Sequence, residues 1–160
     1  MNLKISYLFM PAILSGGAVW ANVESNNNKP NILVAYFSMQ DGNTGDVARA
    51  IVDATGGDIY RIMVAAPYPN DDRLRKERLT MEVEQNILPP LQGVAPNIAE
   101  YDIIFLGSPV WANHLSQPVK SFLAKYDLSG KKVIPFVSHS GGRQRGLDKW
   151  ISKKLNKDKK

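Results

Sequence analysis

The chain has 160 residues, 44% of them hydrophobic and 22% charged, with 3 Trp, 6 Tyr and 5 Phe. That balance fits one ordinary globular domain with a real core and argues against disorder. There is no cysteine, which excludes disulfides, thiol catalysis and any Cys-ligated metal. Much of the net charge of +5 sits between Lys149 and Lys160, ending in a basic tail at 156–160; it reads as a solvated helix end rather than a nucleic-acid surface.

The first twenty-one residues differ from the rest. Lys4 is their only charged residue, and an apolar run from Ile5 to Leu14 leads to Ser15-Gly16-Gly17-Ala18. Val19-Trp20-Ala21 then supplies small residues at the third-last and last positions before a cleavage point. This layout predicts a secretory signal peptide over 1–21 and a periplasmic or secreted protein, since the apolar run falls short of the ~20 residues of a spanning helix. Without a following Cys or a twin-Arg pair, the expected route is export unfolded, without lipid and without cofactor. The exported protein should have the mass of a chain starting at Asn22; a product retaining Met1 would contradict this. Residues 22–30 form a polar leader, and 31–155 the folded domain.

Within that domain apolar runs alternate with helical patterns. Ile32-Leu33-Val34-Ala35-Tyr36-Phe37 is a continuous apolar run, the signature of a strand buried on both faces. A helical stripe follows with Val47, Ala50, Ile51 and Ala54, closed by Gly56-Gly57. Asp58–Ile62 reads as a short strand, and after the turn Pro67-Tyr68-Pro69-Asn70 either Asp71 or Asp72 can cap a charged helix reaching about Gln85. Beyond a proline-marked loop, Ile103–Leu106 is a second buried strand ending at Gly107-Ser108-Pro109. Pro118 opens a helix with Val119, Phe122, Leu123 and Tyr126 on one face, and Gly130 ends it. Val133–Val137 is a further strand whose Pro135 suits a sheet edge. Gly141-Gly142 leads to a last helix with Leu147, Trp150, Ile151 and Leu155 on one face. Such alternation predicts an α/β domain: a parallel sheet with helices on both sides.

In sheets of this kind ligands bind outside the carboxyl ends of the strands, so the loops after Phe37, Leu106 and Val137 should converge. The first, Ser38-Met39-Gln40-Asp41-Gly42-Asn43-Thr44, can wrap N–H groups and hydroxyls round a phosphate at a helix start, or can simply be a capped strand-to-helix turn. The second, Gly107 to His114, carries Trp111, whose ring can cover a planar aromatic ligand or pack on a neighbouring loop. The third, Ser138-His139-Ser140-Gly141-Gly142-Arg143, permits close backbone approach to a ligand, or is a plain start to a helix.

Taken together, Tyr36-Phe37-Ser38, Gly42-Asn43-Thr44, Leu106-Gly107-Ser108-Pro109-Val110-Trp111, Pro118–Leu123, Gly130–Phe136 and Ser138–Gly142 resemble the bacterial flavodoxin-like family, over Ile32 to about Leu155. The resemblance implies a three-layer flavodoxin-like sandwich with strand order 2-1-3-4, an FMN cofactor, and a role in electron transfer or flavin-dependent reduction with an unidentified redox partner. It further implies that Ser38, Gly42, Asn43 and Thr44 hold the phosphate. Pro109, Trp111 and Asn113 would line the isoalloxazine, and His139, Ser140, Gly141 and Gly142 would cover its other edge.

Two departures from the family pattern stand out. The phosphate loop has one extra residue, and Asp41 occupies the place of a Thr before the glycine; a carboxylate there repels a phosphate, so Asp41→Thr is expected to tighten FMN binding. No fifth strand and helix follow Leu155, which would leave Val133–Val137 as an exposed edge and offer a route to a homodimer. Two other readings of the same residues are a flavodoxin-fold protein that has lost its flavin and serves as a binding module, and a hydrolase built from Ser38, Asp41, His114 and His139. The second lacks a nucleophile elbow. The two His match no metal-ligand spacing.

Overall fold

The computed structural model describes residues 29–111 and 114–139, together with the backbone of Ile5–Ser6. The expected last helix over Leu147–Leu155 lies outside the described residues. The elements in chain order are β1 (Ile5–Ser6), β2 (Ile32–Tyr36), α1 (Asn43–Thr55), β3 (Asp58–Arg61), β4 (Met63–Val64), α2 (Asp72–Glu84), β5 (Leu91–Gln92), β6 (Ile103–Trp111), β7 (His114–Leu115), α3 (Gln117–Lys125) and β8 (Lys132–Ser138). A single 3₁₀ turn at Ile98–Glu100 precedes β6.

The main sheet runs β3-β2-β6-β8, with every neighbouring pair parallel. This is the expected order. Its inner strands are β2 and β6, and alternate residues along β2 and just past it feed two cores. Leu33, Ala35 and Phe37 face the larger one with Ile62, Ile104, Val119 and Phe122; Val34 and Tyr36 face the other with Val47, Ala48 and Phe136. Burial on both sides explains why the sequence of β2 is apolar without alternation. Helix α1 covers one face and α3 the other, the three-layer arrangement.

Local signals place the helix ends. Gly56 closes α1 in the left-handed conformation, φ 71°, and donates its N–H to the Val52 carbonyl. Asp71 caps α2, its side chain accepting from the Leu74 N–H at 2.9 Å. Helix α2 has no apolar stripe. It is laced by the i,i+3 and i,i+4 pairs Arg75–Asp72, Arg73–Glu77 and Arg78–Glu82.

Four expectations are corrected. In α1 the buried face is Val47, Ala48, Ile51 and Val52, while Ala50 and Ala54 are exposed, because the bulkier side chains decide which way the helix turns. Strand β6 does not stop at Pro109 but runs to Trp111 and folds back on β7, pairing Val110 with Leu115. Pro109 is tolerated there because β2 has already ended, leaving that side of the ladder unpaired. Gly130, at φ 75°, belongs to the turn into β8, since α3 ends at Lys125. The outer edge of β8 is also not wholly bare: Ile5 and Ser6 pair antiparallel with Ser138 and Val137. Pro135 does lie on that outer strand. Among the described residues no helix is long and apolar enough to cross a membrane.

Candidate functional site

The carboxyl ends of β2, β6 and β8 lie side by side, with Tyr36 opposite Gly107 and Gly107 opposite Phe136. The three loops therefore begin together. A hydrogen bond ties the first to the third: Thr44 Oγ1 lies 2.6 Å from Ser138 Oγ, and both side chains are buried. Ser138 thus fixes the first turn of α1 against the end of β8. The second loop is held by Ser108, fully buried, whose hydroxyl accepts the Ser116 N–H at 3.0 Å and lies 3.0 Å from the Ser116 hydroxyl.

The first loop is built round a carboxylate. Asp41 sits in the left-handed region, φ 51°. Its carboxylate accepts from the Tyr36 hydroxyl at 2.7 Å and from Arg49 at 2.9 Å, with Arg61 Nε 4.0 Å away. It also lies so close over Gly45 that a Cβ there would meet its Oδ1. Arg49 in turn bonds Asp46 at 2.7 Å, and Arg61 donates to the Ser38 and Met39 carbonyls at 3.0 and 3.3 Å. The bond from Tyr36, then the two guanidinium groups, holds the Asp41 carboxyl below its usual value of 3.8. Burial, then the bond to Asp41, pushes the Tyr36 phenol up to about 12.

Two features of this loop suit an anion. Gly42, the residue capping α1, gives no side-chain hydrogen bond to the first-turn N–H groups, unlike the Asp71 cap of α2. Among the described residues, Arg61 Nε is buried without a hydrogen-bond partner. Arg49 and Arg61 were not singled out from the sequence: one lies inside a helix and the other in a short strand. The signal was available in the parallel pairing of Tyr36 with Arg61, which places that guanidinium beside the loop leaving β2.

Ser38 is buried, Gly42 and Asn43 are exposed, and Pro109 and His139 are half-buried. Asn113, Ser140, Gly141 and Gly142 lie outside the described residues. Trp111 ends β6 half-buried, and its ring meets Phe37 and Tyr68 edge-on, each at 5.3 Å between centroids. Tyr68 is itself held from below. Its hydroxyl donates to Glu82 at 2.6 Å, Arg78 bonds Glu82 at 2.8 Å, and the Arg78 guanidinium lies 4.2 Å from the Tyr68 ring centre. Burial, then the bond to Glu82, drives the Tyr68 phenol far above its ordinary value. Glu82 is 3% exposed, so a buried ion pair stands behind the aromatic ring that supports Trp111. The hydrolytic reading fits this geometry poorly: a triad needs its carboxylate on an imidazole, and Asp41 is committed to Tyr36, Arg49 and Arg61.

Comparison with known proteins bears on the same region. A candidate flavoprotein from Bacteroides eggerthii shares 30% identity at a TM-score of 0.71, over 78% of this chain and 80% of its own. Another from Bacteroides uniformis shares 28% at 0.71, over 79% and 83%. A flavoprotein from Lactobacillus acidophilus in complex with FMN has the same fold, with TM-score 0.70 at 19% identity, over 79% and 87%. No functionally curated protein matches. The family model for flavodoxin matches residues 31–158, and with it the ends of β2, β6 and β8, so this chain belongs to the flavodoxin family.

Proposed function

We propose that this chain binds FMN at the carboxyl ends of β2, β6 and β8 and acts in electron transfer or flavin-dependent reduction. The observation that carries the reading is the loop from Ser38 to Thr44. It leads into a helix start without a side-chain cap, and it holds two guanidinium groups, one with a buried nitrogen that makes no hydrogen bond among the described residues. That donor set suits a phosphate monoester. The family membership and the FMN complex of the Lactobacillus protein support the choice of ligand.

On this reading Ser38, Gly42, Asn43 and Thr44 hold the phosphate. Pro109, Trp111 and Asn113 line the ring, and His139, Ser140, Gly141 and Gly142 approach its other edge. When bound, the flavin supplies the electron-accepting and electron-donating chemistry. The chain's own contribution is to orient and to exclude water. The bond between Thr44 and Ser138 fixes the phosphate end relative to β8. Phe37 and Tyr68, set edge-on against Trp111, hold its ring in one orientation before any ligand arrives, which lowers the ordering cost of binding.

Trp111→Ala should therefore weaken FMN binding by about 1–3 kcal/mol, the loss expected when a stacking surface and its buried area go. FMN should quench tryptophan fluorescence in the wild type, and a titration read that way gives both affinities, with FMN's own fluorescence as the readout in the variant. Equal affinity in the two proteins would place the ring of Trp111 away from the ligand.

A further inference from the structure

Resting on that flavin reading, we propose that Asp41 is a displaceable internal counter-ion of the phosphate loop, which keeps FMN exchangeable by competing with its phosphate for Arg49 and Arg61. The carboxylate lies at the first turn of α1, over Gly45, where an incoming phosphate has most to gain from the helix start. It already neutralises the cations a phosphate would use: Arg49 at 2.9 Å and Arg61 at 4.0 Å. With Asp46 also on Arg49, the cluster of two guanidinium groups and two carboxylates carries no net charge. A phosphate entering beside a fixed Asp41 would meet a like charge. One entering as Asp41 swings out would inherit both guanidinium groups. The carboxylate can make that move because it is more than one-third exposed and its backbone lies in a loop rather than in α1.

The backbone also decides which substitution tests this. At φ 51° a β-branched residue is strained, so Asp41→Thr, attractive from the family pattern, would change the loop's shape together with its charge. Asparagine tolerates that conformation, matches aspartate in size and can still accept from Tyr36. Asp41→Asn therefore keeps the loop's shape and the bond from Tyr36 while removing the charge and, with it, the second acceptor that faces Arg49.

Titration calorimetry on the full folded domain, with FMN and with riboflavin, separates the phosphate contribution from the ring's. Asp41→Asn should bind FMN about five- to tenfold more tightly than wild type and riboflavin within twofold, the size expected for removing one partly solvated like-charge contact. Adding Arg61→Gln to Asp41→Asn should abolish the gain. Weaker or unchanged FMN binding by Asp41→Asn would overturn the proposal and make Asp41 a fixed brace of the loop. Equal gains for FMN and riboflavin would overturn it too, because they would report loop shape. A second arm does not need the flavin. Inorganic phosphate should raise the unfolding temperature of Asp41→Asn more than that of wild type, and equal shifts would overturn the proposal. If neither protein bound either flavin, the FMN reading would fall, and the phosphate arm alone would decide the role of Asp41.

Discussion

Gly107→Ala is expected to destabilise the fold by about 3 kcal/mol, at the upper end of the range for forcing one extra methyl into a packed core. A Cβ at Gly107 would overlap the Phe136 ring, approaching its Cζ and coming within 2.6 Å of Cε2, and would lie 2.8 Å from Tyr36 Cβ. The Tyr36 contact involves an atom fixed to the backbone of an inner strand. The Phe136 ring is 5% exposed and packed against Val34, Val47 and Ala48, so it cannot swing aside cheaply. The site would feel this directly, since Tyr36 starts the loop that carries Asp41 and β8 carries Ser138 two residues past Phe136. Urea unfolding measures the loss. Phe136→Leu in the Gly107→Ala background should restore more than half of it, because the shorter side chain vacates the overlapped space, and the two changes should be strongly non-additive. Additive losses would mean the strain is carried elsewhere.

Arg78→Ala should cost roughly 2–3 kcal/mol. Removing one member of a buried ion pair typically costs about 3–5 kcal/mol because the other charge is left uncompensated. Here the guanidinium is 22% exposed, which lowers the figure, while Glu82 at 3% is not relieved by solvent. Tyr68 still donates to Glu82, but it also loses the cation over its ring. Adding Glu82→Leu should recover part of the stability by removing the uncompensated charge, and only part, because the Tyr68 hydroxyl then loses its acceptor. The same Arg78→Ala variant should loosen Tyr68, and through it Trp111, so a broadened tryptophan emission in the folded protein is expected. A loss below 0.5 kcal/mol in urea unfolding would show that Glu82 gains another partner once Arg78 is gone.

What was legible in the sequence is what local chemistry controls. The unbroken apolar run at Ile32–Phe37, the glycine closing α1, an aspartate cap at 71 or 72 and the edge preference of Pro135 each carry their own signal; the alternation of strands and helices pointed to a parallel sheet, and the strand order came from the family resemblance. Side-chain partnership across elements was not legible. Asp41 read as a lone charge opposing a phosphate, whereas Tyr36, Arg49 and Arg61, contributed by three different elements, surround it. For Trp111 the sequence left open a ring covering a ligand or packing on a neighbouring loop, and it held no sign of Phe37 and Tyr68, which meet that ring edge-on. Glu82 looked like one more charge on a polar helix, and only the packing of α2 buries it. The length of β6 was missed for a related reason: a proline ends a central strand but not one whose neighbour has already stopped.

The central claim is that the ends of β2, β6 and β8 form an FMN site, and one titration tests it most directly. The folded domain, prepared without flavin, is titrated with FMN and separately with riboflavin while flavin fluorescence is followed. A saturable one-to-one change with FMN, at an affinity at least tenfold above that for riboflavin, is the predicted result, because the loop from Ser38 to Thr44 supplies a phosphate contact that riboflavin cannot use. No saturable change with FMN, or equal affinity for the two flavins, would contradict it.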